Sequence, residues 1–274
     1  MEAARARALR DESGGAFGRG GWPLRLAVAA ILLFLAAPTL VVIPTSFSSS
    51  PFLTFPPPGF SLQWYERYFS SAAWIGATQR SLLIATLTAL LSSIVGVSAA
   101  LAMRRMGAAR QWVQLLILTP MIIPGIIIAI GAYGLFADLG LIGTALGLTI
   151  AHTLVAFPFV TIVVSSAVDK IDPSIEFAAA SLGARPASTL FLVVLPLIRP
   201  ALVSGALLAF ITSFDEVVIT VFVGGSRSST LPKMMWDSIR TEVDPTISAI
   251  SVILVLVTII VLFLLSRLSR GTEK

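Results

Sequence analysis

Hydrophobic residues along this chain do not alternate, and they do not keep to one stripe of a helix. They come in blocks about as long as the roughly 20-residue helix that crosses a bilayer core. Six such blocks stand out, at 24–44, 78–102, 112–135, 144–167, 201–223 and 246–266. Polar and proline-rich segments separate them, so the pattern predicts an all-α, polytopic membrane protein of six transmembrane helices. The domains that follow are a tail at 1–23, a six-span region at 24–267 and a tail at 268–274. The first block follows Arg5, Arg7, Arg10 and Arg19 and opens with Arg25, as a signal peptide would. Its apolar run continues past Ala36-Ala37-Pro38 to Ile43, so it reads as an uncleaved anchor.

Between the fourth and fifth blocks lies DPSIEFAAASLGARPASTLFLVVLPLIRP, residues 172–200. Asp172-Pro173 has the form of an N-cap with proline at the first helical position, and Gly183 that of a C′ residue, which predicts a helix over 173–182. Pro186 restarts a helix that Pro196 and Pro200 are expected to end. Two short helices at a sharp angle, with small Ala178-Ala179-Ala180 and an apolar stripe of Ile175, Leu182, Phe191 and Val194, form a knob. Such a knob is either an interhelical loop or a docking device for another protein.

Composition supports the membrane reading. Charged residues make up 12% of the chain, about half the usual soluble share, and mean hydropathy is +0.93. Fourteen of the nineteen basic residues fall in segments that six crossings place on one side, among them Arg104, Arg105, Arg110, Lys170, Arg185 and Arg199. The positive-inside bias makes that side cytoplasmic, with both termini and the 172–200 knob. The net charge of +5 therefore reflects topology, and no basic patch with interleaved aromatics points to nucleic acid. Cysteine is absent, which excludes disulfides and thiolate chemistry. The three lysines, Lys170, Lys233 and Lys274, complete no phosphate-binding Gly-x-x-x-x-Gly-Lys-Ser/Thr loop. If this chain pumps, a partner supplies the energy.

Some outward and intramembrane residues invite chemistry. Residues 45–60 read as extended, and SLQWYERYF at 61–69 reads as an interfacial helix whose Trp64, Tyr65 and Tyr68 suit an aromatic belt. A second short helix is expected around Lys233–Glu242, and Asp244-Pro245 caps the last span. Ser226–Arg240 is either a binding-protein contact or a solvated loop. Asp215 and Glu216 lie inside the fifth block, where an acid costs about 2.5–3.5 kcal/mol on insertion scales and defaults to a functional role. With flanking Ser213 and Phe214 they are candidates for the substrate path, Asp215 ahead of Glu216. His152, the only histidine, cannot make a metal site alone and reads as a buried interhelical hydrogen-bond partner. Pro120, Pro124-Gly125, Gly131, Gly134 and Pro158 suit either a pathway or plain kinks.

The knob resembles the EAA loop of ABC-importer membrane subunits, whose pattern is Glu-Ala-Ala, three residues, Gly, nine residues, an aliphatic residue, any residue, Leu-Pro. Ala178, Ala179, Gly183, Val193, Leu195 and Pro196 fall on it in register. Phe177 stands where the pattern has Glu, and Glu176 sits one place earlier, about 100° round the helix. IAHTLVAFPFV at 150–160, ITSFDEVVIT at 211–220 and STLPKMMWDSIR at 229–240 resemble the permeases of spermidine/putrescine-type importers. The resemblance implies a type I importer permease fold and a bacterial inner-membrane location. It implies a second permease, a cytoplasmic ATPase dimer that binds ATP and Mg, an external solute-binding protein and surrounding lipid as partners. The docking residues it implies are Glu176, Ala178, Ala179, Gly183, Leu195 and Pro196, with no catalytic residue, metal or cofactor in this chain. The cargo would be a polyamine or related amine, with amino acids or phosphonates as alternatives. An intramembrane enzyme using Asp215 and Glu216 fits worse, because adjacent acids converge poorly on one atom. A secondary transporter fits worse too, for want of inverted repeats.

Overall fold

Apolar blocks of this length bury their own backbone hydrogen bonds as helices, and helices are what form. The computed structural model describes residues 21–225, 228–241 and 244–270, with side chains described only for 22–225, 228–241 and 244–260. Residues 1–20, Ser226-Arg227, Glu242-Val243 and residues 271–274 lie outside the described residues, and with them Glu242 at the end of the second short helix expected from the sequence.

The helices run α1 (Gly21–Ser46), α2 (Gln63–Ser70), α3 (Ala72–Met103), α4 (Arg110–Ile122), α5 (Gly125–Asp138), α6 (Ala145–Val168), α7 (Pro173–Ser181), α8 (Pro186–Leu197), α9 (Arg199–Phe214), α10 (Val218–Val223), α11 (Leu231–Thr241) and α12 (Thr246–Arg270). By length and composition, three of these can cross a membrane, and up to five spans result if each bent pair counts as one.

Breaks in the helices correct two expectations. The third block is not one rod: α4 and α5 meet at 96°, because Pro124 disfavours helix at Ile123, which adopts φ −70°, ψ 130°. Pro120 and Pro158 stay inside their helices. The fifth block breaks after Phe214, where Asp215 ends α9 and α10 begins at Val218.

The chain forms two compact units. One comprises residues 1–70 and 243–274. There α12 packs on α1 and α2, and Asp244 accepts from the Thr246 N–H at 2.9 Å while lying 3.7 Å from Arg67. Trp64 and Tyr68 are buried within this unit rather than presented at its surface, as an aromatic belt requires. Trp64 Nε1 donates to the Ser48 carbonyl at 2.7 Å, and Tyr65 shares a 2.8 Å hydrogen bond with Ser46. Indole and phenol groups seek such partners when their rings are covered.

The second unit, residues 71–242, is built on α3, α6 and α9. Its helices approach closely because glycines meet the same side chain from two sides. A Cβ on Gly96 would fall 2.8 Å from Val160 Cβ, and one on Gly205 would fall 3.2 Å from Val160 Cα. Around Val160 the core continues through Ala89, Ala100, Ala156, Val164 and Val168 to Ile171, Val194 and Ile198. A second cluster of Ile84, Phe136, Leu148, Ile219 and Val223 joins α3, α5, α6 and α10. Residues 228–231 are fastened rather than solvated. Arg80 donates to the Ser229 carbonyl at 3.0 Å, Ser228 to the Gly143 carbonyl at 2.7 Å, and the Leu231 N–H to Ser81 at 2.8 Å.

Candidate functional site

The α7–α8 elbow assembles from local signals. Asp172 is the N-cap of α7 and accepts the Ser174 N–H at 2.8 Å, with Pro173 at the first helical position. Those bonds from Ser174, backbone first and then hydroxyl, hold the Asp172 carboxyl below the usual carboxylate range. At the other end Gly183 adopts φ +83°, with N–H bonds from Gly183 to Ala180 and from Ala184 to Ala179. That double closure is a Schellman turn, and glycine enters it without steric cost.

Pro196 does not end the second helix. A π turn at Leu190–Val194 carries α8 through it to Leu197, and the 75° bend falls at Ile198, with Pro200 in the first turn of α9. The wider turn lets the backbone shift its bonding from i−4 to i−5 ahead of a residue with no N–H. Val194 also leaves the expected apolar stripe: with Ile198 it is buried in the core of α3, α6 and α9. The exposed large apolar residues are Ile175, Phe177, Leu182, Phe191, Leu192 and Leu197, with Leu182 90% and Phe177 73% exposed.

The motif residues do not all face one way. Ala178, Gly183 and Pro196 are exposed, and Ala179 and Leu195 half-buried. Glu176 is turned against its own chain, paired with Arg104 at the C-terminal end of α3. A groove of about 800 Å³ opens between the foot of α3, α7 and α8, walled by Leu101, Arg105, Phe177, Ala180, Ala187 and Leu190. Sequence reasoning took Arg104 for a topology determinant only. Its partner lies 72 residues away, and no local pattern signals such a pair.

The second candidate is the break in the fifth block. His152 is fully buried and bridges the two half-helices: Nδ1 lies 2.9 Å from Ser213 Oγ on α9, and Nε2 lies 3.1 Å from Thr220 Oγ1 on α10. Its expected part as an interhelical hydrogen-bond partner is thereby observed. Glu216 Oε1 accepts the Ile219 N–H at 2.9 Å, and the Glu216 carbonyl accepts from Thr220 at 2.9 Å, so this acid caps α10. Asp215 is exposed at the end of α9. Phe214 stacks on Phe210 with centroids 5.9 Å apart. Of the four path candidates, then, Ser213 and Glu216 are occupied in holding the break, while Phe214 and Asp215 are less enclosed. Among the described residues no cluster of three or more His, Asp and Glu is placed to hold a metal ion.

An apolar helical assembly with a capped elbow and a break in a core helix has the build of a membrane protein subunit. Comparison with known proteins fixes the family. The chain belongs to the binding-protein-dependent transport system inner membrane components, with residues 92–274 matching. It is 35% identical over 242 residues to the putrescine transport system permease protein PotI of Escherichia coli K12, covering 84% of each chain. It is 33% identical over 223 residues to the spermidine/putrescine transport system permease protein PotC of Haemophilus influenzae, covering 81% of this chain and 86% of that one. Among solved structures, a bacterial ABC transporter that imports the acidic polysaccharide alginate superimposes with a TM-score of 0.71 at 18% identity. That match covers 91% of this chain and 98% of the other. The inward-facing MetNI methionine ABC transporter gives 0.56 at 19% identity, covering 73% and 98%. These two establish the fold as that of ABC transporter membrane subunits.

Proposed function

We infer that this chain is the permease subunit of an ATP-driven importer for a polyamine or related amine. With a second permease it lines the translocation path, an external solute-binding protein delivers cargo, and an ATPase dimer that holds ATP and Mg docks on residues 172–200. Both termini and the elbow face the cytoplasm, as the basic residues argue, and six spans cross the bacterial inner membrane. The single observation that carries the coupling reading is the elbow. Its tip is exposed and small or apolar at Ala178, Gly183, Phe177 and Leu182, while its root at Val194 and Ile198 sits in the core of α3, α6 and α9. A push on the tip is thus delivered to three spans through close-packed side chains, which transmit displacement rather than absorb it. Two relatives named for putrescine and spermidine transport support an amine as cargo. Exposed Asp215 at the α9 terminus suits it, since a carboxylate beside a helix C-terminus favours a cation.

The test is reconstitution of both permeases, ATPase and binding protein in liposomes, with uptake and ATP hydrolysis measured across diamines, polyamines, amino acids and phosphonates. Stimulation by amines alone is expected. Stimulation by phosphonates or amino acids instead would overturn the cargo assignment while leaving the permease reading standing. Docking is tested separately by Ala178→Trp, at an exposed site with ordinary helical backbone, which is expected to abolish ATPase association. Intact association would end the docking reading.

A further inference from the structure

The link between α3 and α4 reaches across to the elbow with two arginines. Arg104 pairs through Nη1 with Oε1 of Glu176 in the first turn of α7, and its Nη2 donates to the Ile171 carbonyl at 2.9 Å. Arg110 holds Asp169, at the foot of α6, in a two-point fork at 3.1 and 2.5 Å. The hinge of residues 169–172 between α6 and α7 is therefore gripped from both ends by the 104–110 link. A guanidinium that binds a side-chain carboxylate and a hinge carbonyl together restrains rotation as well as position, because its donors are fixed in one plane. Successive helical residues are about 100° apart. With Glu176 drawn toward α3, the next residue, Phe177, is left 73% exposed and Leu182 at the turn 90% exposed.

We propose that Arg104 is a positioning residue of the elbow: its grip on Glu176 and on the Ile171 carbonyl sets the rotation of α7, so that Phe177 and Leu182 rather than a carboxylate meet the partner ATPase. This rests on the reading that the elbow receives that ATPase. The partner surface it implies is an apolar cleft with no cation opposite the first turn of α7. Because the grip ends on the C-terminus of α3, it also gives elbow motion a second route into the spans beside Val194 and Ile198.

The experiment uses the complete reconstituted transporter and reads solute imported per ATP hydrolysed. Arg104→Ala and the isosteric Glu176→Gln are each expected to lower that ratio about fivefold, the scale of a partly buried charged hydrogen bond, with the complex still assembled. The chain has no cysteine, so Phe177→Cys supplies a single thiol whose labelling the ATPase should block, and Arg104→Ala should restore labelling. An unchanged ratio in Glu176→Gln overturns the proposal. If Arg104→Ala does not fold, Glu176→Gln decides alone. If Ala178→Trp abolishes ATPase association while Glu176→Gln leaves coupling intact, only the positioning role fails; if Ala178→Trp leaves association intact, the docking reading itself falls.

Discussion

His152 ties α6 to both halves of a broken helix, and its replacement tests how much that joint depends on it. His152→Ala leaves the Ser213 hydroxyl without this partner, removes one from Thr220 and opens a cavity in the buried core. A loss of about 2–4 kcal/mol is expected, read as a lowered midpoint in detergent unfolding. Asp215 lacks such ties: among the described residues no donor reaches its carboxylate. If it meets a cationic cargo, Asp215→Asn should raise the half-saturating amine concentration about tenfold, or about 1.4 kcal/mol, whereas Glu216→Gln should mainly loosen α10. Asp172 answers to pH. Its folded pKa lies below the ordinary value of about 3.9, so its support for α7 is complete above that value and lost as pH falls through the lower folded value. Hydrogen exchange at the first amides of α7 should accelerate there, and Asp172→Ala should remove the pH dependence. This cap was readable because all its parts lie within three residues. The Arg104–Glu176 pair was not, since nothing near either residue names the other.

At the scale of elements, Val160 between Gly96 and Gly205 sets the spacing of α3, α6 and α9. Gly96→Ala is expected to destabilise by about 1–3 kcal/mol through overpacking, and adding Val160→Ala should return part of it. A lack of coupling in that double-mutant cycle would show that the backbone simply moves apart. Element identity was legible in the lengths of the apolar blocks. Element continuity was not. A hydropathy block treats 201–223 as one rod, yet the Glu216 carboxylate takes the Ile219 N–H to itself, and the chain restarts as α10. Pro196 misled in the other direction, because a π turn absorbed the missing N–H that should have stopped α8. Trp64 and Tyr68 misled for a third reason: composition places aromatics at an interface, but only packing shows whether their rings are covered.

For the whole molecule, much apolar surface stays open. Trp112, Leu116 and Ile122 on α4 are largely exposed in the isolated chain, as are Leu33 and Phe34 on α1. A surface of this kind suits lipid or a second permease, so the purified chain should unfold at a lower temperature than the same chain in the assembled transporter. What the sequence determined by itself were the quantities set by nearest neighbours and by block length: helices, caps, the Gly183 turn and the family motif around it. Those follow from backbone geometry and solvent transfer, which act over one or two turns. Tertiary structure alone decided that Glu176 turns inward to Arg104, that Val194 leaves the elbow's surface for the core, and that His152 spans a break. Each depends on which distant segments come into contact, and a linear pattern of hydrophobic and polar residues specifies which surfaces must be buried without naming what buries them.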